Sequence, residues 1–267
     1  MPKLLRADFY RLWKTKSYYI CIAVAAAIAI FGAVMTQVSI NIMKAAAKTE
    51  PSMQQSVDAL TATTKQGGIG YLGTCMNGNF IPLLIAIVVS LFVCMYFSSG
   101  AIKNAHGFSR SEIYGSTLIV CSVSALIMMV AYMLFSFVAA SVLWGVGKVD
   151  TDIVLGLLKM IGTESLLMIG CVSLFVMVAM LIRNSGGTIA INIGSFIVVP
   201  ILLGIINGLL LKSDVVLSKY WIANAGNFVA QLNPANDDII RSLIIAGCYI
   251  VASTAIGLFT FQKRDIK

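Results

Sequence analysis

The sequence predicts an all-α polytopic membrane protein with six transmembrane helices, an N-terminal amphipathic interfacial helix and short outer-leaflet helices before the last span. Two observations predict this class. Of the 267 residues, 59% are hydrophobic and only 11% are charged, whereas a soluble domain carries about a quarter charged residues. The apolar residues also form runs long enough to cross a hydrocarbon core of about 30 Å. We therefore interpret residues 1–267 as a single transmembrane domain.

The first 17 residues predict an amphipathic connecting helix in the plane of the membrane interface. Apolar and cationic side chains alternate with the period of a helix, which places them on opposite faces. The apolar face comprises Leu5, Phe9, Leu12 and Trp13. A cleaved secretory signal is the alternative, because a basic start precedes an apolar run and small residues. The apolar run is longer than the core of such a signal, so the sequence favours an uncleaved anchor.

Six apolar runs give the predicted spans. Their approximate bounds are 18–40, 80–101, 115–145, 163–182, 188–211 and 239–261. Residues 41–79 are predicted to form a polar external loop. Residues 68–73 of this loop match G-x-G-x-x-G, the dinucleotide-binding pattern, but no predicted strand precedes them and a span follows, so the match is accidental.

The start of the fourth span is ambiguous because the run from Ile153 to Ile182 contains Lys159 and Glu164. Charged side chains within a bilayer are costly and often functional. The alternative is that residues 153–162 lie along the interface and that the span begins near Thr163. This second interpretation leaves a span of suitable length and is the one that the sequence favours.

The last third of the chain contains two further features. Gly204 and Gly208 have G-x-x-x-G spacing, which predicts a helix packing face and a possible dimer seam. Residues 212–238 include aromatic side chains typical of an interfacial or re-entrant segment. Asn236, Asp237 and Asp238 are suited to the first turn of the final helix, because they can cap it and match its dipole.

The distribution of basic residues predicts the orientation. Of 19 Lys and Arg residues, five precede the first span, two lie between spans two and three, one follows span four and three are in the tail. These eleven lie in short segments on one side, and the other eight are spread over longer segments opposite. The positive-inside rule therefore predicts that both termini and the loop at 102–114 are cytoplasmic.

The sequence contains no recognisable catalytic or metal-binding pattern. There is one histidine, and the six cysteines lack the spacing of a metal site or a disulfide framework. The P-loop, zincin and nucleophile-elbow motifs are absent. The net charge of +8 is explained by cytoplasmic ends and anionic lipid headgroups rather than by nucleic acid. We therefore predict a protein that is not an enzyme and that binds no cofactor or metal itself.

The polar stretch from Ile102 to Tyr114 is the best candidate for a partner contact. Ser109-Arg-Ser-Glu112 is a capping box that can start the third span. Upstream of it, a basic turn and an aromatic side chain form a short segment that can dock in a cleft of a soluble protein. The predicted contact residues are Lys103, His106, Phe108, Arg110 and Glu112. The alternative is a solvated turn whose cations only fix the topology.

Several of these features together resemble the permease subunits of type-2 ABC exporters. The resemblance is greatest to the short bacterial permeases associated with bacitracin and lantibiotic self-protection. It rests on Phe9-Tyr-Arg-Leu-Trp13, the six spans, the stretch from Lys103 to Tyr114, and the end Phe261-Gln-Lys-Arg-Asp265. Many relatives carry an acidic residue where span two meets the loop, and Ser98-Ser-Gly-Ala-Ile102 has none.

The resemblance implies a bacterial plasma-membrane exporter driven by a partner. A coupling helix in the 102–114 loop would contact a separate ABC ATPase, which would bind ATP and Mg²⁺. A second permease chain, identical or sister, would complete the membrane part. The implied cargo is an amphipathic or membrane-active peptide, such as an antimicrobial peptide. Two alternatives remain open: a permease for small ions, drugs or lipid-linked precursors, and a non-transporting scaffold or sensor.

Overall fold

The computed structural model describes residues 2–47, 61, 64–77, 80–105, 107–211 and 217–263, without the side chains at 96, 98–105, 210 and 211. This part of the chain is helical and contains no strand. Its α-helices are α1 (Pro2–Lys14), α2 (Lys16–Ala47), α3 (Gly67–Cys75), α4 (Phe80–Ala105), α5 (Arg110–Trp144), α6 (Thr151–Ile182), α7 (Ser185–Ile206), α8 (Ile222–Val229) and α9 (Asn236–Lys263).

Five of the described helices are long and apolar enough to cross a membrane: α2, α5, α6, α7 with the turn that follows it, and α9. A sixth candidate is α3 followed by α4, a pair that is bent by 57°. Counting this pair as one span gives the predicted number of six. The structure is therefore that of a polytopic helical membrane protein, as the composition predicts.

Helices α5 and α6 form the centre of the bundle. Over an apolar stretch of 18 residues, 44% of the residues of α5 and 56% of those of α6 are buried. The corresponding share is 22% in α2 and α9 and 11% in α7. Long side chains on these two helices, such as Met128, Met129 and Phe175, are fully buried in the core. The outer helices leave most of their apolar side chains exposed, as expected where lipid is the solvent.

Buried polar groups connect the outer helices to this centre and to one another. Tyr18 Oη on α2 donates a hydrogen bond to the carbonyl of Ser124 on α5, at 3.3 Å. Asn192 Nδ2 on α7 donates to Ser90 Oγ on α4, at 3.0 Å. Because an unsatisfied polar group in an apolar interior is costly, these bonds favour one arrangement of the helices.

The prediction of a polar loop over residues 41–79 is wrong at both of its described ends. Helix α2 extends to Ala47, and residues 67–75 form the buried helix α3. Backbone hydrogen bonds from Gly68 to the carbonyl of Gly145 (2.8 Å) and from Ile69 to that of Val146 (3.3 Å) hold α3 against the end of α5. The glycines that formally match the dinucleotide pattern therefore allow close backbone packing.

Helix α6 also differs from the prediction. It is one continuous helix from Thr151 to Ile182, so residues 153–162 are not a separate interfacial element. Lys159 is exposed, whereas Glu164 is buried on the opposite side of the same helix. The sequence interpretation kept Lys159 outside the span. A single continuous helix accommodates both charged side chains, because that of Lys159 points outward and that of Glu164 points into the bundle.

The segment before α9 enters the bundle instead of lying along its end. Trp221 packs between Phe196 of α7 and Tyr249 of α9, with ring centroids 6.0 Å from each. Both partners lie near the midpoints of their helices, and Ile222 approaches Gly170 of α6. Of the two predicted forms of this segment, the structure therefore favours the re-entrant one, built from a short 3₁₀ turn (Leu217–Tyr220) and α8.

We predict that Gly156→Ala destabilises the protein by about 1–3 kcal/mol, because overpacking at a closed contact forces the neighbours apart. A Cβ at Gly156 would overlap the carbonyl oxygen of Leu232. Gly162 on the same helix has no atom within 4 Å of the corresponding position. Gly162→Ala should therefore leave the unfolding temperature in detergent unchanged or slightly raised. Equal unfolding temperatures for the two variants would contradict the described packing.

Candidate partner-docking site at the turn between α4 and α5

A tight turn connects α4 to α5. Gly107 adopts a φ of 76°, a conformation that favours glycine. Ser109 then caps α5: its Oγ accepts a hydrogen bond from the Glu112 amide (3.3 Å), and its own amide donates to Glu112 Oε2 (3.0 Å). The predicted capping box is therefore confirmed, and α5 begins at Arg110 as a result of local sequence.

Arg110 connects this turn to the far end of the chain. Its Nη1 atom donates to the carbonyl oxygens of Gln262 (2.7 Å) and Phe261 (3.4 Å) in the last turn of α9. Carbonyls in the last turn of a helix can accept bonds from groups outside it, and the C-terminal end of a helix carries partial negative charge. The guanidinium supplies both the donor and the positive charge and fixes the two helix ends together.

The next turns of α5 are buried against two neighbouring helices. Tyr114 Oη donates to the carbonyl of Ser253 on α9, at 3.4 Å, and the ring lies where a Cβ at Gly257 would be. Ser116 Oγ donates to Asp8 Oδ2 on α1, at 2.5 Å. The start of α5 is thus held by α9 on one side and by α1 on the other.

Helix α1 contacts the bundle with a face that overlaps the predicted apolar face. Leu4, Asp8 and Leu12 are buried at a spacing of four residues. Of the other predicted residues, Leu5 and Phe9 are half-buried and pack against the core, and Trp13 is exposed with its ring against Tyr18 and Tyr19. Leu12 therefore packs on protein, not on headgroups.

Asp8 is a residue of this junction that the sequence analysis missed. It is fully buried and is the only acidic residue in α1. A signal for it existed in the sequence, because Asp8 lies four residues from both Leu4 and Leu12. A lone carboxylate aligned with apolar residues on one helical face indicates a polar contact inside the bundle.

The structure describes part of the predicted contact set. Phe108 is half-buried and packs against the core, Arg110 holds α9, and Glu112 takes part in the cap. His106 lies outside the described residues, as does the side chain of Lys103. Residues 101–105 belong to α4 and residues 107–109 form a turn, so the described residues contain no separate coupling helix. The surface here is an elbow on which Gly107, Ser109 and Ser111 are exposed.

Gly204 and Gly208 lie on an open face. Both are exposed, and a Cβ at either position would have no neighbour within 4 Å. They therefore form no helix contact within the described chain. A contact with a second chain stays a prediction.

The described residues contain no group of three or more His, Cys, Asp or Glu side chains arranged to hold a metal ion. What the fold and the elbow define is a helical membrane protein with a rigid helix junction at one end. Residues 80–267 match a family model described as "Protein of unknown function (DUF2705)". The chain belongs to this family. A comparison with curated proteins gave no match.

We predict that Arg110→Gln loosens the last turn of α9, because the carbonyls of Phe261 and Gln262 lose their charged donor. The loss of such a bond costs about 1.5–3 kcal/mol. Hydrogen–deuterium exchange of a peptide that covers the end of α9 should accelerate, while exchange in α6 stays unchanged. The control is Arg6→Gln on α1, since Arg6 is exposed. Unaltered exchange in Arg110→Gln would show that this bond does not hold the helix end.

Proposed function

We propose that this chain is the transmembrane subunit of an ATP-driven exporter in the bacterial plasma membrane. The observation that carries the proposal is the way in which α5 begins. Its first turns are bonded to α1 through Asp8 and to α9 through Arg110 and Tyr114. A force applied at the elbow by a soluble partner is therefore delivered to three helices at once.

The partner is an ABC ATPase that binds ATP and Mg²⁺, because the sequence contains no nucleotide-binding motif of its own. Nucleotide-driven closure of the ATPase would move the elbow and switch the helices between two packed arrangements. The resemblance of the 103–114 stretch to the exporter permeases supports this choice of partner. The contact includes Phe108 and the basic residues around it, with Lys103 and His106 as further members of the set.

The cargo is an amphipathic or membrane-active peptide. The outer helices expose apolar side chains along most of their length, and few charged groups lie within the spans. Such a surface suits a molecule that enters from the bilayer and not a hydrophilic solute. A second permease chain, identical or sister, completes the membrane part, and the open face with Gly204 and Gly208 is suited to that contact.

The first test concerns orientation. We predict that Ser111→Cys reacts with a membrane-impermeant maleimide only after the cells are permeabilised, because the elbow is cytoplasmic. Val149→Cys, in the turn between α5 and α6, should react in intact cells. Ser111 and Val149 are both exposed, so accessibility to water is matched. Labelling of Ser111→Cys in intact cells would place the elbow outside and end the proposal.

The second test concerns the partner. We predict that a photoreactive amino acid at position 111 cross-links to a partner ABC ATPase in cells, and that the same group at position 149 does not. Phe108→Ala should reduce the ATPase that co-purifies by about tenfold or more, as expected for an aromatic anchor.

Phe108→Leu is the matched control for this test, because it preserves most of the packing against the core while the aromatic ring is lost. An equal amount of the ATPase with wild type and with Phe108→Ala, in chains inserted to equal levels, would argue against the assigned contact. A cross-linked ATPase without cargo-stimulated ATP hydrolysis in the reconstituted complex would favour the scaffold over the exporter.

A further inference from the structure

Glu164 is a buried carboxylate in the middle of the molecule's most buried helix. It is 7% exposed and lies within α6, one of the helices long enough to cross a membrane. Its Oε1 atom has no hydrogen-bond partner among the described residues. An unpartnered carboxylate in an apolar surrounding is costly, and ionisable residues within membrane helices usually mark a binding site or pathway.

The carboxylate faces a cavity between α6, α8 and the junction of α3 with α4. The cavity has a volume of about 20 Å³, which is enough to hold a water-sized group. Gly226 on α8 lies directly opposite: a Cβ there would be 3.2 and 3.3 Å from the two carboxylate oxygens. The glycine therefore lets the re-entrant segment approach the charge and close the cavity.

No cation of the described chain neutralises this carboxylate. The nearest basic residue along α6 is Lys159, which is exposed on a different side of the helix. Among the described residues, Arg241 on α9 forms an ion pair with Asp238 on the same helix. The position is thus suited to a positive charge that comes from outside the chain.

The remaining walls of the cavity decide what kind of cation fits. Asn227 is the other residue in the wall with a polar side chain, and Met76, Leu167 and Ile222 are among the apolar ones. Divalent cations such as Ca²⁺ and Mg²⁺ take six or more oxygen ligands, which these side chains do not supply. A primary ammonium has three N–H donors and no acceptor. Glu164 supplies two carboxylate oxygens as acceptors, and the volume of about 20 Å³ has room for the ammonium group alone, so that an apolar stem would extend beyond the cavity.

We propose that this cavity binds a primary ammonium group carried on an apolar chain, with Glu164 as its counter-ion. The inference rests on the proposed function in one respect: the ammonium belongs to the exported cargo, and the site makes the exporter selective for cationic amphipathic molecules. The re-entrant segment closes the site from one side, so that cargo binding and the position of α8 are coupled.

The test uses the purified chain in phosphatidylcholine nanodiscs, with hexylammonium and 1-hexanol as probes. The readouts are the unfolding temperature and the tryptophan fluorescence, to which Trp221 contributes from beside the cavity residue Ile222. In wild type, hexylammonium should change both readouts at a concentration about tenfold or more below the concentration of hexanol that is needed. The reason is that hexylammonium can form a charge-assisted hydrogen bond with Glu164 and hexanol cannot. Hexyltrimethylammonium should change the readouts less than hexylammonium does, because it has the charge but no N–H donor.

Glu164→Gln should abolish the preference for hexylammonium, and Asp152→Asn should keep it. Asp152 is an exposed carboxylate on the same helix and is the matched control. Equal responses of wild type to hexylammonium and hexanol would overturn the proposal, as would a preference that persists in Glu164→Gln. If that variant does not fold, the comparison of hexylammonium with hexyltrimethylammonium on wild type still decides. No ATPase is present, so failure here leaves the partner tests unaffected.

Discussion

The junction of α1, α5 and α9 is the constraint on which the rest of the structure depends. Helix α5 lies at the centre of the bundle, and its first turns carry polar contacts to both neighbours. Asp8 is fully buried beside Ser116, and Arg110 binds the carbonyls of Phe261 and Gln262 at the end of α9. The bond between Asp8 and Ser116 lies in a buried site where water does not compete, so it specifies the helix arrangement more strictly than apolar contacts alone.

The opposite end of the bundle is built on a different principle. At that end, backbone segments lie in direct contact with each other. Helix α3 is hydrogen-bonded to residues that follow α5, and the carbonyl oxygen of Leu232 occupies the position that a Cβ of residue 156 would take. Glycines make these approaches possible. One end is therefore held by side-chain hydrogen bonds at a rigid junction, and the other by close packing around a segment that enters the bundle.

The sequence predicted the class and the capping box, because these depend on composition and on local patterns. Ser109 and Glu112 are three residues apart, and their interaction needs no knowledge of the rest of the chain. The errors have a common cause. Leu12 and Glu164 were assigned from their own helix alone and Asp8 was not selected, because the surroundings of all three are set by helices far away in the sequence. Residues 67–75 were misread for the same reason, since glycine-rich composition suggests a loop until a packing partner is known.

The bond between Arg110 and Gln262 joins positions 152 residues apart. Synthesis proceeds from the N-terminus, so Arg110 has no carbonyls to bind until α9 has been made. The elbow therefore acquires the geometry described here only after α9 has packed against α5. Before that point the same residues lie on an unanchored helix, and a partner that recognises the assembled junction would not bind them in that form.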